Sequence, residues 1–534
     1  MLASRLHWRL LIATILVMLA AAWIAPHYVR PPDIQENRVL AAKPEWPKRL
    51  QDLDDFRKAA DAYVADHFPA RPYLIGGLNR LRMLLGVGGS NRVIIGRQGW
   101  LFYDDDTHLG AARGDPPMTA PEVRNWLVYL AGRTEALKAR GVPYLVVAAP
   151  VKETIYPQFG PYWYRRPNPN RPAIFLPKLA REAGAGDVFY LYPSVAAATR
   201  AGWTTYSRHD THWNAYGAYA GYVGLMTRLH AMGLTEGPRP LSAFTVHPGR
   251  PQTGPRDLAL MLGVSSFVDL NFPHIDNLPS EAKVSISYLT ATQDWTGDQV
   301  IDTGEVGKPV LLMTRDSFSN EIQSLLYPHF SRLILAHNQN GFWRQDLIDR
   351  FKPDIVLLEV IESGLRVGMG SGPQPSPETT ARIDRMLSRP AIVRQIAAPI
   401  PSLRPIDRKL AETMNAAEAA QRCTVDIATL KAGPPGETEL SVAGWIWDQR
   451  RHDDSPDGIL RLRNGGVDLI AHIQVNKPRA DVAAALSDPS AKLSGFVADF
   501  RQQGLPPGQY TLTVYRRSAP TWIACAARQP LSLP

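Results

Sequence analysis

The sequence predicts an α/β protein with a mostly parallel sheet, followed by a separate β-sandwich. Two patterns carry this prediction. Short, predominantly apolar runs at 144–149, 189–192, 310–313, 333–336 and 355–360 alternate with segments of helical period. Strands that are apolar on both faces belong to parallel sheets covered by helices on each side. After Thr424 the texture changes to strand-like segments at 438–447, 469–475, 494–500 and 510–515. Turn clusters separate them: Pro434-Pro435-Gly436, Asn464-Gly465-Gly466 and Pro506-Pro507-Gly508. Asn-Gly between alternating runs is a hairpin signal. At 534 residues the chain is also too long for one ordinary domain.

The elements follow in order. Arg5 and Arg9 precede an uncharged run over 10–25 that Pro26 ends. That is short for a spanning helix, which needs roughly 20 residues, and suits a signal-peptide core. Residues 1–9 are read as a cytoplasmic N-terminus, 10–25 as a transmembrane anchor or signal peptide, and 26–75 as a Pro-rich lead with a helix near 50–66. Residues 93–103 read as two short strands around a glycine turn. Thr119-Ala120-Pro121-Glu122 has capping-box spacing, and Val123, Trp126, Leu127, Leu130 and Leu137 continue at helical period. Asn214 is placed to cap a helix over 215–232. The α/β domain is assigned to 76–400, a linker to 401–415 and the sandwich to 416–534.

The net charge of +9 favours anionic partners such as a membrane surface or an acidic polysaccharide. Its Lys and Arg residues are scattered, without a basic block interleaved with aromatics, so nucleic acid is not an expected partner. No metal-ligand spacing occurs, and neither a metal nor a cofactor is expected. The two cysteines, Cys423 and Cys525, both lie in the last fifth of the chain. In an exported protein they are expected to form a disulfide across the sandwich; two buried free thiols are the alternative.

The chemistry concentrates in two motifs. Arg208-His209-Asp210-Thr211-His212-Trp213-Asn214 sets a carboxylate and an imidazole at i and i+2, on one side of an extended segment. Arg315-Asp316-Ser317-Phe318-Ser319 follows the apolar run 310–313 and so puts a hydroxyl at a strand end. A hydroxyl, a base and an orienting carboxylate are the parts of nucleophilic acyl chemistry. Each motif alone is as readily structural; their occurrence in one α/β domain, each at an element end, is what gives them weight.

With these motifs the chain resembles the alginate O-acetyltransferase family (the AlgJ/AlgX type), whose catalytic domain is SGNH-hydrolase-like with its motifs in permuted order. The resemblance covers roughly residues 34–365. It rests on Glu36-Asn37-Arg38, Asp66-His67, residues 96–102 (GRQGWLF), Pro150-Val151-Lys152, Asp210–Asn214 and Asp316-Ser317-Phe318. It implies that Ser317 is the nucleophile, His212 the general base and Asp210 the residue that orients it. It further implies a polysaccharide acceptor, a membrane-bound acyltransferase as acetyl donor, and a periplasmic location, with the N-terminal segment in the inner membrane. The alternatives are a carbohydrate O-acetyl esterase and a non-catalytic polysaccharide-binding or assembly protein. Ser319 is the rival nucleophile.

Ser317 N–H is expected to supply part of an oxyanion hole, with Asn338 or Asn340 as side-chain donors. Lys152, at a strand end, and Arg315 are candidate contacts to an anionic sugar. Trp100, Tyr103, Trp203, Tyr206 and Trp213 are read more as core than as sugar platforms, and Glu359 and Glu362 as structural. SGNH proteins often place Gly before the Asp-Ser pair. Here Thr314-Arg315 stand there, so the turn must be built without positive φ.

Overall fold

The computed structural model describes residues 40–85, 92–103, 108–114, 117–161, 164, 166–251, 256–268, 271–390, 392, 403–432, 437–448, 457–518 and 521–533, with scattered positions before residue 40. Glu36-Asn37-Arg38, Pro434-Pro435-Gly436 and positions 10, 18, 19, 23 and 25 lie outside these residues. Positions 11–17 and 20–22 are helical. Among the described residues no helix is long and apolar enough to cross a membrane, so the anchor expected over 10–25 has no support there.

Eleven strands precede residue 400. They are β1 (Val93–Ile95), β2 (Leu101–Tyr103), β3 (Tyr144–Ala149), β4 (Asp187–Tyr190), β5 (Thr245–Pro251), β6 (Asn271–Asp276), β7 (Ser285–Tyr288), β8 (Gln299–Asp302), β9 (Val310–Arg315), β10 (Arg332–His337) and β11 (Ile355–Ile361). The main sheet has the order β4-β3-β11-β9-β10-β8-β7. Its first five strands are parallel, as the apolar runs predicted. β8 and β7 then add antiparallel, so the sheet is mixed. These two strands are short, and β7 is mostly exposed; they lack the continuous apolar signature by which the parallel strands were recognised.

Alternate residues of each parallel strand serve different cores, as the two-residue period of a strand requires. Leu145, Val147 and Ala149 of β3 join Leu311, Met313, Leu333, Leu335 and Leu357 on one face, under the helices Tyr192–Arg200 and Ala215–Ala231. Tyr144, Val146 and Ala148 join Leu312, Ile334, Val356 and Leu358 on the other, under Ala120–Lys138, Pro172–Ala183 and Pro377–Leu387. The capping box is present: Thr119 Oγ1 accepts from Glu122 N while the Glu122 carboxylate accepts from Thr119 N. The run read as a strand over 189–192 ends at Tyr190. Tyr192 opens a helix with proline in its first turn, where proline is favoured.

The C-terminal region is a two-sheet β structure. Its strands are β12 (Arg404–Pro405), β13 (Glu418–Ala419), β14 (Arg422–Ala432), β15 (Glu437–Trp447), β16 (Asp457–Asn464), β17 (Val467–Gln474), β18 (Gly495–Gln503), β19 (Gly508–Ser518), β20 (Thr521–Ala526) and β21 (Leu531–Leu533). One sheet runs β12-β17-β16-β19-β20-β13, with β21 on β19; the other runs β14-β15-β18. Asn464-Gly465 makes the β16–β17 turn, with Asn464 Oδ1 accepting from Gly466 N and Val467 N. Stretch 401–415 is not a bare linker. β12 pairs with β17, and the helix Arg408–Asn415 buries Met414 against Ile459 and Tyr515. Cys423 of β14 and Cys525 of β20 form a disulfide with a Cα–Cα distance of 6.0 Å, so it joins the two sheets.

Candidate active site

The site lies at the C-terminal edge of the parallel strands, where open α/β sheets gather ligands. β9 ends at Arg315, and Asp316 continues extended at φ −111°, ψ −169° before a short 3₁₀ turn over Ser317–Glu321. No residue here has positive φ. Asp316 replaces the glycine's role by hydrogen bonding. Its Oδ1 accepts from Phe318 N at 2.9 Å, and its Oδ2 accepts from Ile361 N at 2.6 Å, tying the turn to the end of β11. Burial raises the Asp316 pKa, opposed by these backbone bonds and by His212.

The Asp-x-His loop is held from three sides. Tyr206 and Trp213 bridge across its neck. Asn214 Oδ1 caps the helix Ala215–Ala231, and Asn214 Nδ2 donates to Thr204 O at 2.6 Å. That helix needs glycine where the loop crosses it: a Cβ on Gly217 would meet Thr205 O at 2.2 Å. On the second side, β2 fastens the loop, with Leu101 N donating to Arg208 O at 2.8 Å. On the third, Lys152 Nζ donates to Asp210 O at 2.7 Å and Ser207 O at 3.3 Å, and the Tyr206 hydroxyl donates to Pro150 O. The 96–102 and 150–152 motifs therefore act by positioning the loop that carries Asp210 and His212.

These constraints bring the three predicted residues together. Ser317 Oγ lies 2.8 Å from His212 Nε2, and His212 Nδ1 lies 2.9 Å from Asp210 Oδ1. Asp210 Oδ1 also accepts from His212 N at 2.9 Å, and Arg256 Nη1 is 3.4 Å from Asp210 Oδ2. Burial opposes the Asp210 charge, but His212 and Arg256 outweigh it and hold the carboxyl down at about 2. Burial likewise opposes the imidazolium, but the Asp210 hydrogen bond and the charges of Asp210, Asp257 and Asp316 raise His212 to about 9. The Trp213 ring is buried beneath, donating to Phe318 O at 3.0 Å.

Other predicted residues lie elsewhere in the design. Ser319 is fully buried, donates to Asp316 O at 2.9 Å and accepts from Arg315 Nη1 at 3.3 Å, so its hydroxyl faces inward. Arg315 is also fully buried. Its Nη1 and Nη2 donate to Asn320 Oδ1, Gln323 Oε1 and Trp295 O at 2.9–3.1 Å, so its guanidinium is engaged within the fold. Lys152 is buried as well, its ammonium pushed down to about 8 by burial; no surface remains on it for a substrate. Both cations sit at strand ends, which sequence position shows, but their side chains turn under the site instead of over it. Asn338 follows β10 beside the Ser317 turn, its N donating to Arg315 O at 2.8 Å. Asn340 belongs to the next 3₁₀ turn, and its side chain lies outside the described residues. Glu362 accepts from Val151 N at 3.2 Å and from the Tyr190 hydroxyl at 2.7 Å, and pairs with Arg171, joining β11, β3 and β4. Glu359 is buried beside Asp316 and Arg315, and burial with the Asp316 charge raises its pKa well above the ordinary value.

Arg256 and Asp257 escaped the sequence reading. Asp257 Oδ1 accepts from Thr211 N at 2.8 Å, and Oδ2 lies 3.7 Å from His212 Nδ1. They come from a segment far along the chain, and no spacing links them to the Asp-x-His motif. Asp210, His212 and Asp257 offer ligand atoms within 4.8 Å of one another. A cation on Nδ1 would displace the Asp210 bond that orients the ring.

Residues 93–295 match the family described as SGNH hydrolase-like domain, acetyltransferase AlgX. The match holds both loop residues, Asp210 and His212, and stops before Ser317. A curated relative, the probable alginate O-acetylase AlgJ of Pseudomonas aeruginosa, is 25% identical over 233 residues, 43% of this chain. The chain spans 56% of that relative's length. Among solved structures, Bacillus cereus PatB1 is 13% identical with a TM-score of 0.39, covering 51% of this chain and 96% of its own. The O-acetyltransferase domain of Pseudomonas putida AlgJ is 20% identical with a TM-score of 0.36, covering 55% and 99%. The resemblance to the alginate O-acetyltransferase family, first seen in the motifs, is therefore borne out by the family match and the AlgJ relative.

Proposed function

We propose that this chain is an exported O-acetyltransferase that moves acetyl groups onto a polysaccharide through an acetyl-serine on Ser317. The observation that carries this reading is the continuous contact Ser317 Oγ–His212 Nε2–His212 Nδ1–Asp210 Oδ1, at 2.8 and 2.9 Å. In the first half-reaction Ser317 Oγ attacks the carbonyl carbon of the acetyl donor while His212 Nε2 takes its proton. Asp210 holds the ring and stabilises the imidazolium. Ser317 N–H and the Asn338 side chain are the proposed donors to the tetrahedral oxyanion. As the intermediate collapses, His212 returns the proton to the leaving group. A sugar hydroxyl then attacks the acetyl-serine, gives its proton to His212 and leaves as the acetyl ester, restoring Ser317.

The relatives' names, alginate O-acetylase and acetyltransferase AlgX, support a polysaccharide acceptor; a periplasmic setting is proposed with it. A membrane-bound acyltransferase is the proposed source of acetyl groups. The C-terminal sheets are proposed as a carbohydrate- or partner-binding module. The test incubates the purified chain with a chromogenic acetyl ester, with and without an oligosaccharide acceptor. Acceptor-dependent acetyl-sugar is the expected product. Release of acetate alone, unchanged by acceptor, would make the chain an esterase; no turnover would leave a non-catalytic binding or assembly protein.

A further inference from the structure

The helix Arg71–Leu85 is mounted inside out. A surface helix of a folded domain normally turns its apolar stripe to the core. Here the buried positions are Gly76 and Met83, with Asn79 Nδ2 donating to Leu262 O at 2.7 Å and Arg80 Nη1 to Phe267 O at 2.9 Å. The opposite face carries Leu74, Leu78, Leu81 and Leu85 at i, i+4, i+7 and i+11, a single stripe. They are 63, 50, 52 and 65% exposed, and Leu84 beside them is 69% exposed. Holding five leucines in water on one helix opposes the hydrophobic effect and marks a surface with a partner.

We propose that this face lies on an anionic lipid surface. The helix carries Arg71, Arg80 and Arg82 and no acidic residue. Arg71 and Arg82 border the leucine stripe, while Arg80 is engaged behind it with Phe267 O; arginine beside a leucine stripe is the charge pattern of helices that lie in the interfacial plane of anionic membranes. A second copy paired along the same stripe would set these arginines against each other. The chain's course supplies an independent reason. The Tyr73 hydroxyl donates to Val29 O, and Ile34 reaches Gly263 next to Ile75. Val29, four residues after the uncharged run over 10–25, therefore touches the helix one residue before the stripe begins at Leu74. This surface is separate from the Ser317 site and does not depend on what that site catalyses.

The test uses the full chain. Its two cysteines are bonded to each other, so Leu81→Cys, or Leu78→Cys should the first express poorly, introduces a single thiol for an environment-sensitive dye. Val306→Cys, at a position 96% exposed, is the reference. With vesicles of phosphatidylglycerol and phosphatidylethanolamine, the dye at Leu81 should shift to the blue and become several-fold less accessible to an aqueous quencher, while the dye at Val306 stays in water. Arg82→Gln should weaken partition into these vesicles roughly fivefold. The proposal is overturned if the Leu81 dye stays exposed on vesicles, or shows no preference for anionic over phosphatidylcholine vesicles. It is equally overturned if that dye is already shielded without lipid, the result expected of a second copy or of the chain's own N-terminal segment covering the stripe.

Discussion

The two sheet systems bury charge to different extents. At the C-terminal edge of the parallel sheet, Lys152, Glu153, Asp210, Arg256, Arg315, Glu359 and Glu362 are all nearly inaccessible. The core between the C-terminal sheets is instead built of groups such as Leu440, Val442, Ile446, Leu460, Phe496 and Val514, closed by the Cys423–Cys525 bridge. Burying a charge is costly unless it is paired and hydrogen-bonded. The first region accepts that cost where side chains must be preset for chemistry, each buried cation bonded to loop carbonyls or carboxylates. The second buries fewer charges, among them Asp448 and an Arg461 paired with Asp468, and gains cohesion mainly from apolar packing and a covalent cross-link.

That contrast can be broken most sharply at the edge itself. Ser317→Ala and His212→Ala should each lower acetyl transfer by roughly 10⁴-fold or more, while the thermal midpoint of the α/β domain stays put, because Ser317 Oγ contributes little packing. Asp210→Asn should be comparably severe through the tautomer of His212. Steady-state rates with parallel calorimetry check both halves of this expectation. If Ser319→Ala proves the damaging change and Ser317→Ala does not, the nucleophile is misassigned.

Replacing Cys423 and Cys525 together should act in the other region only. The bridge closes 102 residues of chain, for which the loop-entropy relation gives about 4–5 kcal/mol as an upper value. Denaturant unfolding followed by fluorescence should lose that stability in the sandwich transition, while turnover of a small acetyl ester is kept. Equal loss of ester turnover would mean that the two regions are not independent.

The pH profile sharpens the comparison. His212 must be neutral to accept the Ser317 proton, and its pKa is raised to about 9. kcat/KM should therefore climb with pH into the alkaline range, not level off near the ordinary imidazole value. In Asp210→Asn the residual activity should show this limb moved to lower pH. A limb at the ordinary value in the unaltered protein would contradict the Asp210–His212 coupling.

Glu359→Gln is the smallest change. Its folded pKa is raised well above 4.5, so its neutral form favours folding below that value, and this contribution is lost as pH rises toward the folded pKa. The glutamine variant should match the parent in acid and be at least as stable at neutral pH. A clearly less stable variant at neutral pH would show that the site needs a charge there.

Much of this was legible from residue order. Continuous apolar runs mark β3, β9, β10 and β11, and a period-3.6 pattern marks the helix Ala120–Lys138, because strands buried on both faces and a capped amphipathic helix leave strong local signals. The two motifs holding Asp210, His212 and Ser317 were equally visible. The directions of side chains were not: Lys152 and Arg315 stand where a ligand contact would, yet turn inward, a choice made by tertiary packing. Asp257 and Arg256 approach from a distant segment with no periodic mark, and which side of the helix Arg71–Leu85 faces the fold is set by its contacts with Leu262 and Phe267, far along the chain.

The central claim is that Ser317 carries the acetyl group between donor and acceptor. The most direct measurement is acid quenching within the first turnovers on an activated acetyl ester without acceptor, followed by fragmentation of the peptide spanning Arg315–Asn320. The account predicts an acetyl group on Ser317 Oγ that disappears when oligosaccharide is added before the quench. An acetyl group on Ser319, or an unmodified peptide in a protein that is turning over ester, would contradict it.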